Sequence, residues 1–244
     1  MLNLLWLPIN LLQAIYTALW TSGWITAALI VRAITGSPRI PLAMARRGWA
    51  PGLLAGGLLR VETVGGEDVD FSRPHIFAAN HQSLLDIPIL YCALPVPLLF
   101  IVKEELRRVP FLGWYISAMG MIFICRQARQ RSLRDLEACR SRLAEGNSIL
   151  MFPEGTRSQD GRIGDLKPGS FVPAIDIGAP VVPILIDGSG KALPAGGFRV
   201  RHARIRVVIG APIRVAGLAR KDRRHLAEEV RSRLLELERE LDCR

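Results

Sequence analysis

Hydrophobic and polar positions divide this chain into two regimes. From Met1 to Val31 no side chain is charged, and apolar residues follow one another without a period. A helix of that length reaches about 46 Å at ~1.5 Å per residue. A bilayer core is roughly 30 Å thick, so the segment is long enough to span at a tilt or to lie within one leaflet. A second apolar stretch, 48–59 (GWAPGLLAGGLL), is too short to span and is interrupted by Pro51 and by glycines. The two predict a helix, a turn around Gly36-Ser37-Pro38, and an interfacial helix returning to the cytoplasmic side. An ordinary buried helical hairpin is the competing reading.

Past residue 58 the pattern alternates between strand-like and helix-like pieces. Strands are predicted at 59–64 (LRVETV), 75–80 (HIFAAN), 97–102, 119–125 (MGMIFIC), 148–152 (SILMF), 180–186 (PVVPILI) and 199–209 (RVRHARIRVVI). Helices are predicted at 87–93, at 130–145, where Gly146-Asn147 is the stop, and across 218–241, where leucines recur near helical spacing. Strands alternating with helices imply an α/β fold: a mixed, mostly parallel sheet flanked by helices, preceded by a membrane-embedded helical segment. The boundary falls at 58, giving a membrane-embedding segment 1–58 and an α/β domain 59–244.

Composition sharpens the membrane reading. Half of the 244 residues are hydrophobic, and mean hydropathy is positive, at +0.24. Arg32, Arg39, Arg46, Arg47 and Arg60 follow the apolar run with no acid before Glu62, so by the positive-inside tendency this flank faces the cytoplasm. Trp6, Trp20, Trp24 and Trp49 suit the headgroup level. A cleaved signal peptide fits poorly, because no basic region precedes the apolar run and the run is too long. The net charge of +10 admits nucleic acid, an anionic membrane surface or anionic substrates as partners, and the membrane segment favours the last two. The four cysteines have neither CxxC pairing nor metal-ligand spacing, so no metal is expected. Gly188-Ser189-Gly190-Lys191 lacks the leading glycine and trailing hydroxyl of a P-loop.

Two short segments carry the candidate chemistry. In Asn80-His81-Gln82-Ser83-Leu84-Leu85-Asp86, a histidine follows a strand and a carboxylate follows it by five residues. Regular helix would turn Asp86 about 140° away from His81, so the histidine must lie outside the helix for the two to meet. The pair would then fix one imidazole tautomer and leave the other ring nitrogen to abstract a proton. Asp86-Ile87-Pro88 is equally a helix start with Asp86 as N-cap. No Gly-x-Ser-x-Gly elbow occurs, so the base would act directly on a substrate hydroxyl.

In Phe152-Pro153-Glu154-Gly155-Thr156-Arg157-Ser158, a strand ends at proline and Gly155 permits close backbone approach. Thr156, Arg157 and Ser158 are donors for a phosphate, whereas Glu154 repels one unless it pairs with a base or accepts a substrate hydroxyl. A polar turn is the plain alternative. Lys103, Arg126 and Lys167 are further basic candidates. Each also fits a surface role: a solvated helix start, a strand cap and a turn, respectively.

The motifs together resemble the membrane-bound glycerolipid acyltransferases, most closely the bacterial 1-acylglycerol-3-phosphate (lysophosphatidate) type. The resemblance rests on HxxxxD at His81 and Asp86, GxxFxxR at Gly120, Phe123 and Arg126, FPEGTRS at 152–158 and VVPI at 181–184. Their order and spacing span residues 75–186. One departure is Cys125, where many members carry an acid. The resemblance implies that His81 takes the proton of the sn-2 hydroxyl as it attacks an acyl thioester, with Asp86 orienting His81. Glu154, Gly155, Thr156, Arg157 and Ser158, with Lys103, Arg126 and Lys167, would hold the acceptor's phosphate and glycerol. The products would be phosphatidate and free CoA or acyl carrier protein, with no cofactor beyond the thioester co-substrate. The acyl chain would lie in an apolar tunnel.

Other readings keep the same residues in play. The acceptor would instead be glycerol-3-phosphate, another lysophospholipid or a lyso amino-acid lipid. A non-enzymatic membrane-surface protein would tolerate loss of His81. Nucleic-acid binding rests on charge alone, because a basic strand such as 199–206 is more often a solvated edge.

Overall fold

The computed structural model describes residues 2–124, 131–197 and 199–243. Three fully buried strands form the centre of one sheet: β2 (Ile76–Ala79), β5 (Ser148–Met151) and β6 (Val181–Asp187), whose last residue alone is partly exposed. Strands covered on both faces read as continuous apolar runs rather than alternating ones, which is how these segments read in sequence. With β1 (Arg60–Gly65), β3 (Leu98–Lys103), β4 (Ile122–Ile124) and β7 (Arg204–Ile209), they make a seven-stranded sheet in the order β1-β7-β6-β2-β5-β3-β4. Every neighbouring pair is parallel except β6 and β7.

The helices divide between the two faces. On one face lie α1 (Leu2–Thr35), a returning helix made of α2 (Arg39–Met44), a π turn (Ala45–Trp49) and α3 (Ala50–Gly56), then α4 (Asp86–Ala93) and α5 (Leu112–Ala118). On the other lie α6 (Arg131–Ala144), α7 (Val172–Ile177) and α9 (Arg223–Asp242), while α8 (Ser189–Ala192) is a single turn after β6. Alternation along β2 serves both sides: Phe77 and Ala79 join the first core, Ile76 and Ala78 the second.

Two expectations from the sequence need correction. The strand expected at 199–209 begins only at Arg204, and it is no edge: β7 lies between β1 and β6. Its arginines pair with carboxylates on the flanking strands, Arg204 with Glu62 at 2.6 Å and Arg206 with Asp187 at 3.0 Å. The basic alternation is thus spent on neighbouring strands. The strand expected at 119–125 is shorter: Met119 closes α5, Gly120 turns at a φ of +77°, and β4 follows. Cys125 and Arg126 lie outside the described residues.

The returning helix is also not broken by its glycines. Three glycines in a helix cost about 3 kcal/mol relative to alanines, and here they admit aromatic rings. Tyr16, Trp20 and Trp24, four residues apart on α1, pack on Gly56, Gly52 and Gly48. A Cβ built on any of the three would overlap the facing ring. The Tyr16 hydroxyl donates to the Gly52 carbonyl at 2.9 Å, and the Trp20 indole to the Trp49 carbonyl at 3.0 Å. Pro51 cannot donate to the carbonyl four residues back, and the turn before it opens into the π turn. Leu42, Ala45, Ala50 and Leu54 are buried in the same core as β2 and α4, so the returning helix fastens α1 to the α/β domain.

This ladder is testable. Gly52→Val should drive Trp20 from its seat and cost about 2 kcal/mol, within the usual range for overpacking. The measurement is the denaturation midpoint in detergent. A Gly52→Val/Trp20→Leu double variant should recover part of the loss. Equal midpoints for wild type and Gly52→Val would remove the ladder as a source of stability.

Candidate active site

Because β2 and β5 are adjacent and parallel, the loops after Ala79 and Met151 leave the same end of the sheet side by side. That end is where open α/β sheets place their sites. The first loop is pinned by its own polar side chains. Asn80 extends the ladder where the backbone leaves it: its amide donates to the Ile186 carbonyl at 2.9 Å, and its oxygen accepts from the Ile186 amide at 2.7 Å. Gln82 donates to the Gly161 carbonyl and accepts from the Gly190 amide, and the Ser83 hydroxyl donates to the Leu193 carbonyl.

The loop folds back so that His81 and Asp86 meet. One oxygen of Asp86, Oδ2, accepts from His81 Nδ1 at 2.7 Å, from the Gln82 amide at 2.8 Å and from the Ser83 amide at 2.9 Å. Three donors compensate the burial of a carboxylate that is 0% exposed. Its other oxygen is buried without a partner among the described residues. All three donors precede α4, so Asp86 does not act as an N-cap for that helix. With Nδ1–H donating to Asp86, the Nε2 atom of His81 is left as the acceptor for a proton.

Glu154 holds the histidine from the second loop. Its Oε1 accepts the His81 amide at 2.8 Å, and its Oε2 accepts the Gly164 amide at 3.3 Å. Burial pushes the Glu154 carboxyl above its ordinary range, against the opposing pull of those two amides and of His81. The Ser158 amide donates to the His81 carbonyl at 2.8 Å, so the histidine backbone is fixed at both its groups. The turn is made by Gly155 at a φ of +75°. The Phe152 ring stacks on the His81 ring with centroids 4.0 Å apart.

The remaining expected residues are placed as follows. Arg157 is half-buried and has no hydrogen-bond or ion-pair partner among the described residues, and Thr156 is exposed. The Ser158 hydroxyl is taken by Asp160 at 3.0 Å, which leaves its amide rather than its hydroxyl engaged with the site. Lys103 ends β3, the strand beside β5, at the same end of the sheet. Lys167 is tied to the second loop through its amide, which donates to the Pro153 carbonyl at 2.9 Å. Arg126 follows β4 outside the described residues.

Sequence reasoning gave Asn80, Gln82 and Arg231 no role. Arg231, on α9, donates to the carbonyls of Gly164 at 3.0 Å and Ile163 at 3.3 Å, and so secures the loop that satisfies Glu154. An arginine on a helix face gives no sign in sequence that it reaches a loop 67 residues earlier.

An apolar cavity of about 300 Å³ lies between the helical hairpin and the α/β domain, with Trp24, Ala28, Trp49, Leu84, Tyr91 and Tyr115 among its walls. Leu84 is three residues beyond His81. Phe100, also in the wall, stacks at 6.5 Å on Phe152 and so lies next to the His81 stack.

The chain is similar to known acyltransferases. A family model described as Acyltransferase matches residues 60–187. A chloroplastic 1-acyl-sn-glycerol-3-phosphate acyltransferase of Arabidopsis thaliana, LPAT1, is 40% identical over 57% of this chain and 39% of its own. The enzyme of that name in Pseudomonas aeruginosa is 32% identical over 69% of this chain and 64% of its own. The chain therefore matches only about two fifths to two thirds of the length of these relatives. The crystal structure of PlsC, the 1-acyl-sn-glycerophosphate acyltransferase of Thermotoga maritima, superposes with a TM-score of 0.77 at 27% identity, covering 100% of this chain and 99% of that one. With the family model spanning both site loops and the strands that carry them, the chain belongs to the Acyltransferase family.

Proposed function

We propose that this chain transfers an acyl group from a thioester to the sn-2 hydroxyl of 1-acylglycerol-3-phosphate, giving phosphatidate. The observation that carries the proposal is the His81–Asp86 pair at 2.7 Å, held beside the Glu154–Ser158 turn. The names of the relatives support the choice of acceptor. In the reaction, Nε2 of His81 takes the hydroxyl proton as the oxygen forms its bond to the thioester carbonyl carbon. Asp86 stabilises the imidazolium. The tetrahedral intermediate then expels the thiolate, which receives the proton from His81. Every atom is accounted for by the two substrates, so the proposal requires no cofactor. Acyl-CoA and acyl carrier protein both satisfy it as donors.

Arg157, Lys103 and Lys167 supply positive charge for the acceptor phosphate, with Arg126 the fourth candidate. The apolar cavity is the place for an acyl chain, close to the histidine. Membrane association follows from α1, apolar and long enough to cross a bilayer, and the basic residues after it favour the cytoplasmic face of the inner membrane.

The test is acyl transfer by detergent-purified protein, with both donors supplied, to lysophosphatidate and to a lyso amino-acid lipid. Phosphatidate formation is expected, and transfer only to the rival acceptor would overturn the substrate assignment. Arg157→Ala should raise the KM for lysophosphatidate about 10- to 100-fold, the worth of a charged hydrogen bond of ~1.5–3 kcal/mol. A fall in kcat at unchanged KM would remove Arg157 from phosphate binding.

A further inference from the structure

The connection from β3 to α5 is built under strain. Phe111 has a φ of +68° and a ψ of −56°, and the Leu112 amide donates across it to the Pro110 carbonyl at 2.7 Å. This is the positive-φ γ-turn, which is rare because it is strained. The next residue allows nothing but glycine: a Cβ on Gly113 would overlap the Arg107 carbonyl. So tight a segment nonetheless holds apolar side chains out in solvent. Val109 is 40% exposed, Leu112 37% and Trp114 62%. The Phe111 ring packs edge-on to Trp114 at 6.3 Å. Backbone strain three residues from an exposed tryptophan, with Val109 and Leu112 also exposed, points to a functional surface.

The surroundings identify that partner. α5 packs against α1, and the Arg32 side chain of α1 donates to the Ala118 carbonyl at the end of α5 at 3.1 Å. The segment is therefore continuous with the apolar helix that gives the chain its membrane association. Leu112 also lines the apolar cavity, together with Leu84, which is 59% exposed three residues after His81. Arg107 pairs with Glu104 at 2.8 Å and lies over the Phe123 ring at 3.9 Å, which leaves Arg108, directly before the turn, as the exposed cation there among the described residues.

We propose that Val109–Trp114 is a second membrane contact: an interfacial wedge that enters an anionic bilayer surface beside the mouth of the apolar cavity. Its apolar tip sits at headgroup depth, where an exposed tryptophan is favoured, and Arg108 faces anionic lipid. The wedge brings the cavity mouth and Leu84 down to the leaflet, so that a lipid acceptor slides in without passing through water. The proposal rests on the acyltransferase reading for the identity of that acceptor, and not for the membrane contact itself.

Two measurements test it. The first needs no activity. Full-length protein is bound to vesicles of phosphatidylcholine and phosphatidylglycerol whose acyl chains are brominated near the headgroup end. Wild type and Trp114→Phe are compared. The difference isolates Trp114 from the hairpin tryptophans, and quenching of that difference signal is expected. An unquenched Trp114 would overturn the wedge, pointing instead to a protein partner or a second copy on this face. The second compares Trp114→Glu and Val109→Glu with wild type on two acceptors: long-chain lysophosphatidate in vesicles and a short-chain, monomeric analogue. A rise of about tenfold or more in the vesicle KM is expected, with the monomeric substrate unaffected. Equal losses on both acceptors, or none on either, would sink the proposal. Wild-type protein inactive on both would sink the enzyme reading alone and leave the quenching result to decide the wedge.

Discussion

His81→Ala should reduce acyl transfer by about 10³-fold or more while leaving the fold intact, because the ring is the group that would take the hydroxyl proton and no other histidine lies in the two site loops. Asp86 divides the effect into parts. Its single engaged oxygen serves three donors, and the other oxygen is unpartnered. Asp86→Asn can therefore keep its carbonyl oxygen on all three, with its amino group in the place of the unpartnered oxygen. The loop and the tautomer survive, and what disappears is the negative charge that would stabilise the imidazolium. A fall in kcat of about 10²-fold or more is expected, with a stability loss of about 1–3 kcal/mol because the buried amino group finds no acceptor. Asp86→Ala should do more damage, since it also leaves two buried amides without an acceptor. The check is kcat for the three variants beside their denaturation midpoints. An Asp86→Asn protein with wild-type turnover would show that the carboxylate is structural.

The centre of the fold was legible because buried strands and motif loops are local patterns. IFAA, SILM and VVPILID read as strands on their own, whereas HxxxxD and FPEGTRS each also fit a helix start or a polar turn and pointed to a site only in combination. What stayed hidden depends on partners far along the chain. Asn80 grips Ile186 across 106 residues, and Arg231 reaches Gly164 across 67. Neither side chain sits in a pattern that announces its partner. The basic strand at 204–209 looked solvent-facing because its acids, Glu62 and Asp187, belong to other strands.

The glycines of 48–56 are a different case. Their spacing of four was visible, as was the spacing of four among Tyr16, Trp20 and Trp24. Only the antiparallel packing of the two helices turns one set into seats for the other. The boundary at 58 has a similar history: it follows a change in sequence pattern, yet one core runs across it from Leu54 to Leu90.

Glu154 carries the second large effect, and its variants separate positioning from binding. Both its oxygens are committed to backbone amides, one of them that of His81 itself. Glu154→Gln can satisfy only one of those amides, since its amino group must face the other. A buried donor left unpaired costs about 1–3 kcal/mol. If that penalty falls on the placement of His81, kcat drops about 10- to 100-fold and the acceptor KM stays put. A raised KM at constant kcat would instead put Glu154 on the acceptor.

The pH dependence supplies an independent reading. Burial raises the folded-state pKa of Glu154 above its ordinary value of 4.5. Between that value and the folded pKa, the native state holds a proton that the unfolded chain has released. The native state is thus favoured at low pH by this group, and its contribution is lost as pH rises through the folded pKa. Wild type should lose stability across that window relative to Glu154→Gln, which has no proton to release. Activity should move the opposite way in wild type, rising as Glu154 ionises and both amides gain their acceptor. In Glu154→Gln that rise should be missing. A wild type and a Glu154→Gln protein with parallel pH profiles in both stability and turnover would separate Glu154 from the histidine altogether.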